Sequence, residues 1–123
     1  MEFELELSSE KRKQLKIAVE KYTETFLDNI SKMPAYVIGK YDKVAADDQF
    51  VIDGNTVEIE QALNLFTDRI DNTGLNPASG GHLGYIPGGG IYTSSLGDYI
   101  AAVTNRYAGV FFASPGAVRM ENA

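Results

Sequence analysis

Charged residues are distributed unevenly along this 123-residue chain, and this distribution constrains what the chain can fold into. Residues 1–71 contain 24 of the 28 charged residues (11 Lys and Arg, 17 Asp and Glu), whereas residues 72–105 contain only Asp98. The second region also holds eight of the 12 glycines, between Gly74 and Gly97. Because an isolated small domain needs charge on its surface, we expect something outside the second region to cover it.

Composition and charge narrow the class of protein. The chain is 44% hydrophobic and 23% charged, which is typical of one folded globular domain of this length. Its net charge of −6 disfavours nucleic acid as a partner, because phosphate contacts require a basic surface. No apolar run approaches the roughly 20 residues that span a bilayer, and the acidic N-terminus is unlike a signal peptide. We therefore predict a cytoplasmic protein without a membrane partner.

Two amphipathic helices are predicted in the charged region. Apolar side chains recur at helical spacing through residues 9–33, and Ser8 or Ser9 can cap the start while Pro34 ends the helix. Residues 35–53 lack a period, which predicts a loop with one short extended piece. A second helix is predicted over 56–71, beginning near Asn55 or Thr56 and ending at residues 72–74. The two apolar stripes are Leu15, Val19, Tyr22, Phe26, Ile30 and Met33, and Ile59, Leu63, Phe66 and Ile70.

The uncharged region predicts a loop and a third helix. Residues 74–93 show no period and are unusually long for a structureless loop in a compact domain. Ser94 or Ser95 then caps a helix predicted over 94–108, which Gly109 ends. Its apolar stripe is Leu96, Ile100, Val103 and Tyr107.

A fourth helix begins after Ser114, because serine suits the cap and proline the first helical position. This helix has fewer than three turns before Ala123, so we expect the chain to be the start of a longer protein. The predicted fold is mainly α, with at most a minor strand. We treat residues 1–123 as a single helical segment, divided into a charged part, 1–71, and a Gly-rich part, 72–123.

The inventory of reactive side chains is short. His82 is the single histidine and there is no cysteine, which excludes metal sites with two histidines and excludes thiolate chemistry. The carboxylates at positions 42, 47, 48 and 53 lack the spacing of a calcium loop. Every lysine lies between Lys11 and Lys43, in the charged half, where a Schiff-base lysine would not be desolvated. We therefore predict no catalytic or metal-binding residue in this chain.

Gly88-Gly89-Gly90 allows an alternative. Backbone N–H groups can approach a phosphate closely where no side chain intervenes, and a helix follows soon after. The spacing fits neither GxxxxGK[ST] nor GxGxxG, and the other interpretation is a tight turn that needs positive φ. A phosphate- or nucleotide-binding domain remains a hypothesis at this point.

Two linked motifs carry a family resemblance. The run HLGYIPG at residues 82–88 precedes a helix with an acidic residue, Asp98, and FASPGAVRME follows at residues 112–121. Over roughly residues 56–123 the chain resembles the N-terminal region of pyridoxal-phosphate-dependent decarboxylases of the aromatic-amino-acid and glutamate type. It departs from that pattern at residues 79–83, where SGGHL replaces H-P-x-F-F, and at Val118, where threonine is usual.

The resemblance implies the N-terminal segment of a fold-type-I enzyme, with three helices and the start of a fourth, whose large α/β domain is absent from this chain. It implies that Tyr85, Pro87 and Gly88 flank the amino-acid substrate. It implies that Tyr107, Val110 and Phe111 approach the active site of a partner subunit in a homodimer. The cofactor would be pyridoxal phosphate in the full-length enzyme, held by residues beyond this chain, and none is expected on this chain by itself.

Two other functions stay open beside this decarboxylase segment, which would not be catalytic by itself. One is a stand-alone helical module that forms a homo-oligomer, and the other is the nucleotide-binding domain that uses Gly88 to Gly90. For association we predict a dimer contact through one apolar surface, with the helix of residues 9–33 reaching across. The predicted contact residues are Leu96, Ile100, Val103, Tyr107 and Phe111.

Overall fold

The structure is a computed structural model that describes residues 6–38, 56–84 and 86–123. The chain divides into two compact units, an N-terminal unit, Met1–Gly88, and a C-terminal unit, Gly89–Ala123. This division lies some way after residue 72, where the change in charge occurs. The described ranges are mainly helical, as the sequence predicts, and their one sheet has two short strands. None of their helices combines the length and hydropathy that crossing a bilayer requires.

The first helix, α1, spans Ser9–Asn29. Ser8 caps it as predicted, since its Oγ accepts a hydrogen bond from the Lys11 backbone N–H at 3.2 Å. The predicted stripe is confirmed in large part: its residues are half-buried, except Val19, which is 43% exposed. The predicted end at residue 33 is wrong, since the helix ends at Asn29. Pro34 has no N–H to donate to the Ile30 carbonyl, so regular helix does not continue up to the proline. The last turn is already irregular from Ile30 onward.

The second helix, α2, spans Ile59–Phe66 and continues as a π-helical segment, Thr67–Asp71. Its start three residues after Thr56 corrects the prediction, and the reason is a local cap: the Glu58 N–H donates to Gln61 Oε1 at 3.4 Å. Asn55 lies outside the described residues, as do 39–54. The predicted stop at residues 72–74 is confirmed, and Gly74 has the positive φ of 67° that glycine tolerates best.

A short antiparallel sheet links the chain after α1 to the chain after α2. Strand β1, Tyr36–Val37, pairs with β2, Gly74–Leu75, in the register Tyr36 with Leu75 and Val37 with Gly74. Next to the sheet, Ser79 is the one buried residue of the described ranges, at 6% exposure. Its Oγ donates to the Met33 carbonyl at 2.8 Å and accepts from the Gly81 N–H at 3.2 Å. Strand β1 is a short extended piece of the kind predicted within residues 35–53.

The C-terminal unit contains helices α3, Tyr92–Thr104, and α4, Pro115–Glu121. Helix α3 begins two residues before the predicted start, because Ile91 occupies the cap position and Ser95 Oγ donates inward to the Tyr92 carbonyl at 2.6 Å. It ends at Thr104 and does not continue to residue 108, because the cap residue Asn105 adopts left-handed backbone at φ 42°. Helix α4 starts where predicted, although the Ser114 side chain makes no capping bond.

One polar contact ties α1 to the end of the π-helical segment. The Tyr22 hydroxyl donates to Asp71 Oδ2 at 2.8 Å, and the Tyr22 ring meets Phe66 edge-on with centroids 5.8 Å apart. Burial, followed by the hydrogen bond and charge of Asp71, raises the pKa of Tyr22 above its ordinary value. The bond therefore stabilises the protonated tyrosine in the folded chain.

The variant Tyr22→Phe should lower the free energy of unfolding by about 1 kcal/mol near neutral pH, since it leaves Asp71 without its donor. A folded-state pKa above the unfolded value means that this stabilisation is complete below about pH 10 and decreases at higher pH. Urea unfolding between pH 7 and 11 measures both effects. Tyr99→Phe, which removes an exposed hydroxyl, is the matched control, with both variants measured at chain concentrations too low for self-association. Equal pH dependence in the two variants would contradict the role of the bond.

Candidate functional site

Helix α3 presents an apolar stripe to solvent. Successive residues of an α-helix are rotated by about 100°, so residues spaced by three or four share a face. Five large side chains share one face of α3 in this way, and each is between 46% and 65% exposed. We call them the α3 stripe: Tyr92, Leu96, Tyr99, Ile100 and Val103. The predicted stripe already contained Leu96, Ile100 and Val103. Tyr92 joins it because the helix starts earlier than predicted, and Tyr99 lies three residues after Leu96 on the same face.

The opposite face of α3 is small and polar. It carries Ser94, Ala101 and Asp98, the only charged residue of the helix. The difference between the two faces makes α3 an amphipathic helix whose apolar side is in water. Exposed apolar patches larger than a few hundred Å² are typical of surfaces that bind another protein.

The predicted partner-facing residues follow α3 in the C-terminal unit. Tyr107, Val110 and Phe111 are all exposed, and Tyr107 is so at 65%. The prediction that Tyr107 continues the helical stripe is wrong, because α3 ends at Asn105. The Tyr107 ring instead lies over the backbone of Gly109, where a Cβ would overlap it. Glycine at 109 therefore allows this ring position, while Val110 and Phe111 lead into the turn before α4.

Charge in the C-terminal unit is balanced. Residues 89–123 contain two acidic residues, Asp98 and Glu121, and two basic residues, Arg106 and Arg119, so their net charge is zero. The whole chain has a net charge of −6, which therefore belongs entirely to residues 1–88. Two copies of the chain can approach through the C-terminal unit with less charge repulsion than through the N-terminal unit.

The predicted substrate-side residues belong to the N-terminal unit. Tyr85 lies outside the described residues. The Pro87 carbonyl is 2.9 Å from His82 Nε2, so the imidazole holds this loop by a hydrogen bond when that nitrogen carries the proton. Neither Gly88 nor Gly90 has a positive φ, and an anion-binding nest requires left-handed backbone at alternate residues. The described backbone at these two glycines therefore does not form such a nest.

The described ranges contain neither a cluster of metal ligands nor a desolvated lysine that could hold a cofactor. No group of three or more acidic or histidine side chains there is placed to hold a metal ion. The described lysines, at positions 11, 13, 16, 21 and 32, are all exposed. A lysine that forms an imine needs a desolvated or electrostatically tuned setting. These lysines do not fit pyridoxal phosphate, and we derive no reaction step through that group.

A shallow groove of about 510 Å³ between α1 and α2 was not anticipated from the sequence. Ile17, Tyr22 and Leu63 line its apolar part, while Lys21 and Glu60 lie at its edge. The sequence signal for this groove is weak: Ile17 and Lys21 are four residues apart, so they share a face of α1 beside the main apolar stripe. The groove has both apolar and charged lining residues, and no buried side-chain polar atom of the described residues is left without a hydrogen-bond partner that a ligand could supply.

Comparisons with protein-family models, with curated proteins and with solved structures found no match to this chain. The assignment of a function therefore depends on the residues and surfaces described above.

Proposed function

We propose that this chain is the dimerisation and active-site-lining segment at the N-terminus of a pyridoxal-phosphate-dependent amino-acid decarboxylase. The observation that carries the proposal is the exposed apolar surface of the C-terminal unit, formed by the α3 stripe with Tyr107, Val110 and Phe111. A segment that lines a site shared between subunits needs a surface of this kind, which water covers in the free chain and another subunit covers in the assembly.

Residue type and position support the same function. Aromatic side chains are enriched at the centres of protein interfaces, and Tyr92, Tyr99, Tyr107 and Phe111 all lie in the C-terminal unit. Charged residues are depleted at such centres. Asp98 is the only charged residue of α3, and it lies on the face away from the stripe. The residue types of the C-terminal unit and the exposure of its apolar side chains both support an interface role in the proposed assembly.

The decarboxylase part of the proposal rests on the two spaced motifs at residues 82–88 and 112–121. Under this proposal Tyr85, Pro87 and Gly88 line the substrate side of the active site, and Tyr107, Val110 and Phe111 reach the site of the partner subunit. The cofactor, when bound, supplies an electron sink for loss of carbon dioxide from an amino acid. Its lysine anchor would come from residues that follow this chain.

The stand-alone homo-oligomeric module is the second candidate, and the same exposed α3 stripe favours it. The two candidates agree on self-association and differ in whether a catalytic domain accompanies this segment. Calorimetric titration of the chain with a nucleotide such as ATP tests the third hypothesis. Saturable binding that Gly88→Ala abolishes would establish the nucleotide-binding domain and contradict both other candidates.

Light scattering tests self-association. We expect the 13.4 kDa chain to show twice that mass at high micromolar concentration. Val103→Lys should raise the dissociation constant at least about tenfold, because it puts an unpaired charge into the contact. Ala101→Lys adds the same charge on the opposite face of α3 and should change it less than about twofold. A folded wild-type monomer at these concentrations would contradict the proposal.

The gene tests the decarboxylase assignment. We expect the reading frame that encodes this chain to continue for several hundred codons into an α/β domain with a lysine directly preceded by histidine. Purified product of that frame should absorb in the visible region as a pyridoxal imine, and replacing that lysine should abolish the band. A stop codon directly after Ala123 would contradict the enzyme segment and favour the stand-alone module.

A further inference from the structure

We infer that the partner of the α3 stripe is the α3 stripe of a second copy of this chain, paired antiparallel across a twofold axis. The inference deepens the proposed function, on which it rests, because it names the occupant of the exposed surface and the register of the contact. It follows from the spacing, the size and the charge of the α3 side chains.

The spacing is that of a coiled-coil seam. Tyr92, Leu96, Tyr99 and Val103 follow one another at steps of 4, 3 and 4, which places them at the alternating core positions of a heptad repeat. Ile100 flanks this seam at 61% exposure. Two helices with such a seam bury it by packing their core residues into each other, and α3 is about 20 Å long, enough for two pairs of core layers around the axis.

Side-chain size selects the antiparallel orientation. In an antiparallel pair whose axis lies between residues 97 and 98, Tyr92 meets Val103 of the second copy, and Leu96 meets Tyr99 of the second copy. Every layer then combines one tyrosine with one aliphatic residue. A parallel pair would instead stack Tyr92 on Tyr92 and Tyr99 on Tyr99, leaving Leu96 and Val103 in thinner layers. Even layers fill the space between helices better, and opposed helix dipoles also favour the antiparallel arrangement.

Charge and area agree with this occupant. Asp98 lies on the face away from the seam, so no charge is buried, and the net charge of residues 89–123 is zero. The exposed part of the α3 stripe amounts to roughly 500 Å² in each copy, since large aromatic side chains offer about 150–250 Å² each. Two copies can bury at most about 1,000 Å², which is the size of weak, transient interfaces, so we expect a dimer that dissociates in the micromolar range.

Disulfide trapping tests the register directly, because the native chain has no cysteine. The Tyr92→Cys variant of the 123-residue chain is mixed with the Val103→Cys variant, and the mixture is oxidised. The products are separated on a non-reducing gel and mapped by mass spectrometry. In the antiparallel pair, positions 92 and 103 are opposite each other, whereas the two positions 92 are about 16 Å apart along the axis. The mixed linkage should therefore exceed linkage between two 92 positions by about tenfold or more.

The matched control is Ser94→Cys mixed with Ala101→Cys. In the antiparallel pair these two positions are at the same level along the axis, as 92 and 103 are, but they lie on the outer faces of the two helices. They should therefore form little cross-link. Leu96→Cys mixed with Tyr99→Cys repeats the test one layer inward, in case the first pair weakens the helix. Circular dichroism and sedimentation before oxidation verify that each variant folds and associates.

Each result has one meaning. Predominant linkage between two 92 positions would establish a parallel pair and overturn the inference. A dimer that cross-links equally in the control mixture would show that the α3 stripe is not the specific contact, while self-association, and with it the proposed function, would stand. A chain that stays monomeric by sedimentation would contradict both the register and the proposed function.

Discussion

Burial of apolar surface is the constraint on which this structure depends. Apolar side chains contribute about 25 cal/mol for each Å² that they remove from water, and this term must offset the entropy of ordering the chain. No apolar side chain of the described ranges is fully buried, and those of the α3 stripe are half-exposed or more. Under the proposed function, another subunit covers these faces and adds its apolar contacts to those that the chain makes by itself.

Polar contacts give the N-terminal unit its arrangement. The buried Ser79 hydroxyl binds the Met33 carbonyl, and the β1–β2 pair brings the chain after α1 beside the chain after α2. The Tyr22–Asp71 bond holds α1 against the π-helical segment. These contacts are directional and fix which residues meet, whereas the hydrophobic effect does not specify a partner. The C-terminal unit instead has a clear division between an apolar and a polar face of α3.

Much of the fold could be predicted because helical spacing reports directly on faces. The α1 residues Leu15, Tyr22 and Phe26 are half-buried on one face, as their spacing predicts. Helix ends were harder to predict, since they depend on single backbone conformations: Asn105 ends α3 by turning left-handed. The Tyr22–Asp71 contact could not be predicted from local spacing, because it joins residues that are 49 positions apart. For the α3 stripe, the sequence predicted an uncharged region that another surface covers, but it did not predict which side chains are exposed.

Hydrogen exchange at two chain concentrations tests the central claim most directly, namely that a second copy covers the α3 stripe. Amide protection within Tyr92–Thr104 should increase with concentration across the micromolar range, because pairing suppresses opening of this helix. Protection within Ser9–Asn29 provides the internal comparison. Protection of α3 that rises with concentration, and returns to the dilute value in Val103→Lys, is the result that the account predicts. Protection of α3 that is the same at every concentration would contradict it.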